Sequence, residues 1–158
     1  MFVIRDHVHI HASLERCFQL ATNLQLLADV AAMEPQQQKG FKSSGQLQDG
    51  DRVTWYGWKF GVPHVHISRI TRFEPPKFFL DSMERGRFKH FEHEHKFTQV
   101  GDHTLLIERI RFSMPMGPLG HLIGKYVVMP HLVGMLRARL AILKRTAETE
   151  AWKKYLAS

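Results

Sequence analysis

The chain has 158 residues, of which 44% are hydrophobic and 11% aromatic, and it carries a formal net charge of +7. This composition excludes an intrinsically disordered chain, and the length favours a single domain, residues 1–158, with a substantial core. The one cysteine, Cys17, excludes an intramolecular disulfide and fits the reducing cytoplasm, where we expect the protein to reside. No run of residues comes near the ~20 apolar residues that a membrane-spanning helix needs.

The positive charge is spread along the chain and is not accompanied by a recognition-helix, zinc-finger or RNA-binding pattern. We therefore expect no nucleic-acid partner. The densest basic group lies near the C-terminus and consists of Arg137, Arg139, Lys144, Arg145, Lys153 and Lys154. This group suggests weak contact with an anionic membrane surface as an additional interaction.

The first elements follow from local pattern. Residues 2–10 alternate between apolar and polar side chains, which predicts a β-strand. Ser13 is a suitable N-cap for a helix that begins at Leu14, because its hydroxyl can accept a hydrogen bond from the first turn. Asn23 is predicted to start a second short helix, and Pro35 to close this region.

A β-rich section follows, in which runs of aromatic and β-branched residues are separated by turn signals such as Asp49-Gly50-Asp51. Short strands joined by tight turns predict a meandering antiparallel sheet. The predicted strands are residues 41–47, 52–60, 64–73, 78–84 and 88–98, and a last strand that follows the turn at 99–102 and ends at 112.

The last element is predicted to be a long helix from about Gly117 to beyond Thr146, because apolar residues recur there at the i, i+3, i+4 spacing. Pro130 removes one helix hydrogen bond and should bend the helix near Tyr126. A curved sheet that grips such a helix encloses a cavity between the two layers, which we expect to measure at least a few hundred Å³.

The most informative segment is residues 91–97, in which His93 and His95 alternate with charged residues. Side chains alternate across a strand, so both histidines share one face with apolar neighbours. If the turn at 99–102 pairs its first and last residues, His93 lies directly opposite Glu108 on the next strand. Buried polar groups must be paired, so this face predicts either a structural hydrogen-bond network or the polar end of a ligand pocket.

The order of one strand, two short helices, six strands and a long C-terminal helix resembles the helix-grip fold of the START-like (SRPBCC) superfamily, which includes pollen allergens, lipid-transfer domains and polyketide cyclases. The resemblance covers nearly the whole chain. Three parts of the sequence sharpen it toward bacterial ligand-binding, polyketide cyclase-like members: Ile67-Ser68-Arg69-Ile70 with Pro75-Pro76, Phe79-Leu80-Asp81 with Gly86-Arg87-Phe88, and Phe91-Glu92-His93-Glu94-His95-Lys96-Phe97 with Met114-Pro115-Met116-Gly117-Pro118-Leu119-Gly120.

The resemblance implies an α+β fold in which a curved antiparallel sheet wraps around the C-terminal helix, with two short helices after the first strand. It implies binding of a small hydrophobic molecule, such as a lipid, an isoprenoid or an aromatic polyketide-like compound, and no established reaction. The residues predicted to bind this ligand are Trp55, Trp58, Phe79, Asp81, Met83, Phe88, Phe91, His93, His95, Glu108, Ile110, Phe112 and Tyr126.

Two other functions stay open at this level. A cyclase or dehydratase-type enzyme would use the His93, His95 and Glu108 cluster as its acid–base group, although no nucleophile or oxyanion-hole motif accompanies it. A regulatory module would dock its basic C-terminal end on anionic lipid or on a partner. The sequence determines neither the ligand nor the oligomeric state.

We expect no cofactor and no metal ion. His93, His95 and Glu108, with Asp81, have the residue types of a zinc or iron site. A structural network, in which a carboxylate fixes the tautomer of an imidazole, is the favoured interpretation. The N-terminal histidines His7, His9 and His11 are interpreted as surface positions near the end of a strand.

Overall fold

A seven-stranded antiparallel sheet forms the framework of the protein. The computed structural model describes residues 1–32, 38–41, 45–59 and 62–156, and at residues 32, 38–41 and 56–59 it describes the backbone alone. The strands are β1 (Phe2–Ile10), β2 (Gln38–Phe41), β3 (Arg52–Lys59), β4 (Val62–Glu74), β5 (Phe78–Arg85), β6 (His90–Val100) and β7 (His103–Ser113). Their spatial order is β1-β7-β6-β5-β4-β3-β2, so the chain meanders from β2 to β7 and β1 closes the far edge against β7.

Two short helices follow β1, as the sequence predicts. Helix α1 (Leu14–Ala21) begins after Ser13, whose hydroxyl accepts a hydrogen bond from the Arg16 amide at 3.1 Å. Helix α2 (Leu24–Ala32) begins after Asn23, whose side-chain oxygen accepts from the Leu26 amide at 2.9 Å. Both caps satisfy amide groups that the first turn of a helix leaves without a partner.

The C-terminal helix, as we call the continuous helical segment Gly117–Glu148, consists of α3 (Gly117–Ile123), a π-helical turn (Gly124–Val128) and α4 (Met129–Glu148). The π turn lies where Pro130 removes a helical hydrogen bond, and the Met129 amide donates to the Gly124 carbonyl instead. The sequence predicts a bend near Tyr126, and the structure has the π turn at this position. A 3₁₀ turn (Glu150–Trp152) and α5 (Lys153–Leu156) end the described chain.

Sheet and helix pack as a helix-grip fold, in which α4 lies across the inner face beside β1 and α1. The core contains residues of α1, α4 and the inner faces of β1, β6 and β7, among them Phe97, Leu106, Ile110 and Leu136, each 2% exposed or less. This arrangement confirms the predicted α+β fold with two short helices after the first strand.

Several sequence predictions need correction. The weak strand predicted at 41–47 is β2, Gln38–Phe41, and Gln46 forms only an isolated bridge to Asn23. Residues 42–44 of that prediction, Pro35 and the side chain of Trp58 lie outside the described residues. Tyr126 is 66% exposed, because the helix before α4 turns that side chain away from the sheet.

The expectation about membrane-spanning segments also changes. The C-terminal helix is long and apolar enough to cross a membrane by length and composition alone. Long helices that form the core of a globular fold meet the same criterion, and α4 has such a role here, with Leu132, Leu136 and Leu140 buried.

Candidate functional site

A cavity of about 160 Å³ lies between the sheet and the helices. Most of its wall is apolar and comes from α2, α4, β3 and the middle of the sheet. The apolar lining residues include Leu26, Val30, Val53, Trp55, Phe79, Phe88, Phe91, Leu132, Met135, Leu140 and Leu143. The volume is below the few hundred Å³ predicted from the sequence.

The register of the β6–β7 hairpin determines what faces this cavity. Val100 pairs with His103, so the turn has two residues, Gly101 and Asp102, and Gly101 adopts a φ of +61°. A positive φ at the first turn position is typical of a type II′ hairpin, and glycine adopts it without strain. His95, not His93, therefore lies directly opposite Glu108, and the predicted register is wrong by two positions.

A shift of two residues leaves every side chain on its predicted face, so the predicted contact between His93 and Glu108 is still present. His93 Nε2 lies 2.9 Å from Glu108 Oε2 along the diagonal, and His95 Nδ1 lies 2.8 Å from Glu108 Oε1. On the other side, His95 Nε2 lies 3.1 Å from Asp81 Oδ2 of β5. The prediction that His93 and Glu108 are buried on neighbouring strands within hydrogen-bonding distance is confirmed. We call Asp81, His93, His95 and Glu108 the buried polar cluster.

Ring stacking fixes the orientation of both imidazoles. The His95 ring stacks on Phe79 with centroids 4.0 Å apart and planes 8° from parallel, and on its other side it stacks on His93 at 3.9 Å. Phe79 and His95 are direct cross-strand partners, which accounts for the close stacking. The cluster is therefore a rigid feature of the sheet, with its side chains held by packing as well as by hydrogen bonds.

Burial and charge act in opposite directions on this cluster. Burial alone would raise the pKa of Glu108, but the charges of His95 and His93 and their hydrogen bonds hold that pKa well below its usual range. Burial likewise opposes a charge on His95, yet the charge of Glu108 and the hydrogen bonds with Asp81 and Glu108 raise its pKa from 6.5 to about 9. Burial would raise the pKa of Asp81, and the hydrogen bond from His95 lowers it. At neutral pH, His95 is therefore an imidazolium between two carboxylates.

Two atoms of the cluster have no partner within the described part of the chain. No hydrogen bond reaches His93 Nδ1 or Asp81 Oδ1, and neither atom is fully enclosed. Because Glu108 is ionised, His93 donates to it from Nε2, which leaves the other ring nitrogen, Nδ1, for a molecule in the cavity. Asp81 Oδ1, a carboxylate oxygen, offers a lone pair to the same molecule.

The cluster also has the composition of a metal site, because Asp81, His93 and His95 can each bring one ligand atom within 4.8 Å of the others. Both ring nitrogens of His95 are already engaged by carboxylates, however, and a metal would have to replace one of these hydrogen bonds. The geometry fits a network of hydrogen bonds better than a preformed coordination sphere.

The structure places most of the predicted ligand-binding residues at the cavity wall, although their role in binding stays a prediction. The predicted residues that line the cavity are Trp55, Phe79, Asp81, Phe88, Phe91, His93, His95 and Glu108. Ile110 and Phe112 are fully buried in the core behind the wall, and Met83 packs against the core without lining the cavity. Tyr126 lies far from this wall on an exposed helix turn.

Other lining residues are missed by the sequence analysis. Arg139 of α4 lies over the Trp55 ring, 6.0 Å from its centroid, and both half-buried side chains line the cavity. His64 and His66 of β4 line it as well. The helical period of α4 indicates which of its faces is buried, but only the observed position of the helix identifies Arg139 as part of the wall.

The basic residues near the C-terminus do not form one unpaired patch. Lys144 binds Glu148, Lys153 binds Glu150 and Lys154 binds Asp29. Arg137 lies 3.9 Å from Asp6 of β1, and Arg139 lines the cavity. Much of the charge that suggested membrane contact is therefore neutralised locally.

Comparison with known proteins identifies the fold. No family model matches the chain, and no curated protein matches it in sequence. Among solved structures, TTHA0849 from Thermus thermophilus has a TM-score of 0.73 at 18% identity and covers 92% of this chain and 97% of that chain. CV1439 from Chromobacterium violaceum has a TM-score of 0.71 at 14% identity and covers 94% of this chain and 98% of that chain.

A third solved structure is also similar to this chain. Ara h 8.0201 has a TM-score of 0.61 at 9% identity and covers 90% of this chain and 97% of that chain. At such low identities these similarities establish the helix-grip fold alone, and no ligand or reaction follows from them.

Proposed function

We propose that this protein binds a small, largely apolar molecule in the cavity between sheet and α4, and that the buried polar cluster accepts hydrogen bonds from a hydroxyl or N–H group of that molecule. One observation carries the proposal. His93 Nδ1 and Asp81 Oδ1 have no protein partner among the described residues, and both belong to residues that line a mostly apolar cavity.

The charge of the cluster favours a donor over an anionic head group. The ionised Asp81 and Glu108 flank one imidazolium, His95, so these three groups together carry one net negative charge. A ligand carboxylate would meet repulsion and two acceptors, whereas an alcohol, phenol or N–H group supplies what the two acceptors lack. At the cluster itself, a carboxylate group is therefore a weaker candidate than the hydroxyl group of a ring or an alcohol.

The cavity volume limits the size of the apolar part of the ligand. A dry apolar cavity of about 150 Å³ holds benzene, so about 160 Å³ accommodates one ring or a short branched chain. Burying about 150 Å² of apolar ligand surface at about 25 cal/mol per Å² gains roughly 4 kcal/mol, which corresponds to a Kd near 1 mM before any polar contribution. Hydrogen bonds to the cluster would strengthen this affinity.

The fold supports membership of the START-like superfamily as part of the proposal. Solved structures that share the arrangement of sheet and helix, among them TTHA0849, CV1439 and Ara h 8.0201, cover 90–94% of this chain. The buried thiol of Cys17, whose pKa burial raises to about 11, supports a structural cysteine and a reducing cellular compartment.

Titration with a matched pair of probes tests the function. We would follow amide NMR signals while adding p-cresol or toluene, which have the same ring and differ by a hydroxyl. We expect p-cresol to bind about tenfold more tightly, because a net hydrogen bond contributes roughly 0.5–1.5 kcal/mol, and more when its partner is charged.

Two valine variants localise the binding. Val53 lines the cavity and is 4% exposed, whereas Val65 is 45% exposed. Val53→Phe fills the cavity and should weaken both probes at least tenfold, while Val65→Phe should leave both affinities unchanged. Undiminished binding by a folded Val53→Phe variant would refute the cavity as the site.

A second candidate function is acid–base catalysis, and one observation favours it specifically. His93 donates to an ionised carboxylate through Nε2 and keeps an accessible lone pair on Nδ1, which is the arrangement of a histidine general base. His95 is unsuited to that role, because its raised pKa keeps it protonated at neutral pH. An activity on a bound alcohol or enol that rises with pH and disappears in His93→Gln, with binding retained, would establish this function.

A further inference from the structure

A second group of histidines lies on the opposite face of the sheet, at the end where β1 meets the β6–β7 hairpin. Ile10 pairs with Thr104, and both are buried, so the residues beside them, His9, His11 and His103, project from the outer face. We call His9, His11, Asp102 and His103 the hairpin-end cluster. The sequence places its members far apart, and only the β1–β7 pairing brings them together.

The side chains of this cluster are close. His9 Nδ1 lies 2.9 Å from His103 Nε2, and His103 Nδ1 lies 3.3 Å from Asp102 Oδ1. The rings of His11 and His103 have centroids 5.4 Å apart. One ligand atom each from His11, Asp102 and His103 lies within 4.8 Å of the others.

These distances suit a tetrahedral ion. Zinc binds imidazole nitrogen and carboxylate oxygen at about 2.0–2.2 Å, so neighbouring ligand atoms are about 3.3–3.4 Å apart in a tetrahedron. The 3.3 Å between His103 Nδ1 and Asp102 Oδ1 matches that edge, and it is longer than a typical N–H···O hydrogen bond of about 2.9 Å. His11 is exposed, and its ligand atom, within 4.8 Å of the other two, must approach them to about 3.3 Å to complete three ligands.

The other ring nitrogen of His103 has the partner that metal-binding histidines usually have. A proton on His103 Nε2 would be donated to His9 Nδ1 across the 2.9 Å contact, which leaves Nδ1 with the lone pair that binds a metal. The main chain at His11 is also held in place, because its amide donates to Glu148 Oε2 of α4 at 2.7 Å.

We propose that His11, Asp102 and His103 bind one zinc ion on the outer face of the sheet, with His9 as the hydrogen-bond partner that orients His103 and with water as the remaining ligand. The ion would join the end of β1 to the β6–β7 turn, two segments that strand pairing and the His9–His103 contact already hold together. This site is independent of the ligand cavity, which lies on the inner face.

Calorimetric titration of the full chain with zinc chloride tests the proposal, with His7 as the matched control. His7 lies on the same strand and the same outer face but contributes no ligand atom to the cluster. We expect one zinc ion to bind the unmodified protein, at least tenfold weaker binding in His103→Ala and in His11→Ala, and an affinity within twofold of the unmodified protein in His7→Ala.

Chemical shifts locate the ion and separate this site from the buried polar cluster. Zinc should perturb the amide signals of residues 9–11 and 101–104 and leave those of 91–95 unchanged. Equal affinity in His103→Ala and the unmodified protein, a loss in His7→Ala as large as that in His103→Ala, or perturbation centred on His93 would each overturn the proposal.

Discussion

The two histidine clusters of this protein lie on opposite faces of the same sheet and use the same residue types in different ways. In the buried polar cluster, both ring nitrogens of His95 contact carboxylates, and His93 contacts Glu108. In the hairpin-end cluster, histidine contacts histidine, and its one carboxylate, Asp102, is 91% exposed.

The two clusters differ in their contacts because one is buried and the other is exposed to solvent. A charge in the core must be paired, because water cannot compensate it, and the pairing fixes protonation and tautomer. At the surface, water satisfies any nitrogen that the protein leaves unpaired, so the same side chains keep lone pairs for an incoming ion. The inner cluster is thus suited to orient a ligand, and the outer one to bind a metal.

Removing the central carboxylate of each cluster should give the largest contrast. Glu108→Gln leaves the imidazolium of His95 without its closest counter-charge in the core, and we expect a loss of about 3–5 kcal/mol in the free energy of unfolding. Asp102→Asn should change stability by less than about 0.5 kcal/mol, as is usual at exposed sites. Urea unfolding at pH 7 measures both. A loss below 1 kcal/mol for Glu108→Gln would show that the buried charges are not as closely coupled as their distances indicate.

The pH dependence of stability provides the next contrast. The folded-state pKa of His95, about 9, lies above its unfolded value of 6.5, so its stabilisation is full below pH 6.5 and is lost as the pH rises through 9. The loss should be on the order of 3 kcal/mol at most. Asp81 and Glu108 have lowered pKa values, so their contribution is present above the unfolded carboxyl values of about 4 and is lost on acidification.

Stability should therefore be greatest between about pH 5 and 6.5 and fall on both sides. Unfolding free energies at intervals from pH 4 to pH 10 measure this profile. His95→Gln should remove the alkaline decline, and His103→Gln, in the exposed cluster, should not. An alkaline decline that persists in His95→Gln would assign it to another group.

Single histidine substitutions should also change stability by different amounts in the two clusters. His93→Gln takes one hydrogen bond from Glu108 and should cost about 1–3 kcal/mol. The glutamine carbonyl can still accept a hydrogen bond, so the affinity for p-cresol should fall by no more than about threefold if the protein is a binder. His9→Gln, by contrast, should leave the melting temperature nearly unchanged. Equal stability losses in the two variants would remove the distinction between the faces.

The smallest effect on stability is expected for an ion pair on the outer face of β6 and β7, the strands that carry His93, His95 and Glu108. Arg109 lies 2.6 Å from Glu94, and both side chains are nearly one-third exposed. A double-mutant cycle with Glu94→Gln and Arg109→Gln should give a coupling of about 0.2–1 kcal/mol. A coupling as large as the loss of stability expected for Glu108→Gln would mean that burial does not control the strength of these ion pairs.

The sequence predicts the faces of the strands well and their register poorly. Alternation alone places His93, His95 and Glu108 on the inner face, and any even shift preserves that result. Charged residues on the outer face indicate the correct register. Only the observed register places both Glu92 opposite Arg111 and Glu94 opposite Arg109. Two opposite-charge pairs and a glycine at the first position of the turn are signals that sequence analysis can use to choose it.

Parts of the site depend on contacts that no local pattern encodes. Arg139 reaches the cavity because α4 crosses the sheet beside Trp55, and His103 meets His9 because β1 pairs with β7. Tyr126 fits the apolar period of the helix but lies in the π turn, where the side chains are displaced from the α-helical period. Tertiary packing decides each of these positions.

The nitrogen-15 spectrum of the histidine side chains tests directly whether His93 Nδ1 accepts a hydrogen bond from a ligand in the cavity. At pH 7 it should show His95 protonated on both nitrogens, and His93 neutral with its proton on Nε2 and a lone pair on Nδ1. Adding p-cresol should shift the His93 Nδ1 signal toward that of a hydrogen-bonded acceptor, and toluene should not. If His93 carries its proton on Nδ1, or if p-cresol binds without changing that signal, the buried polar cluster does not recognise a donor group and the account is wrong.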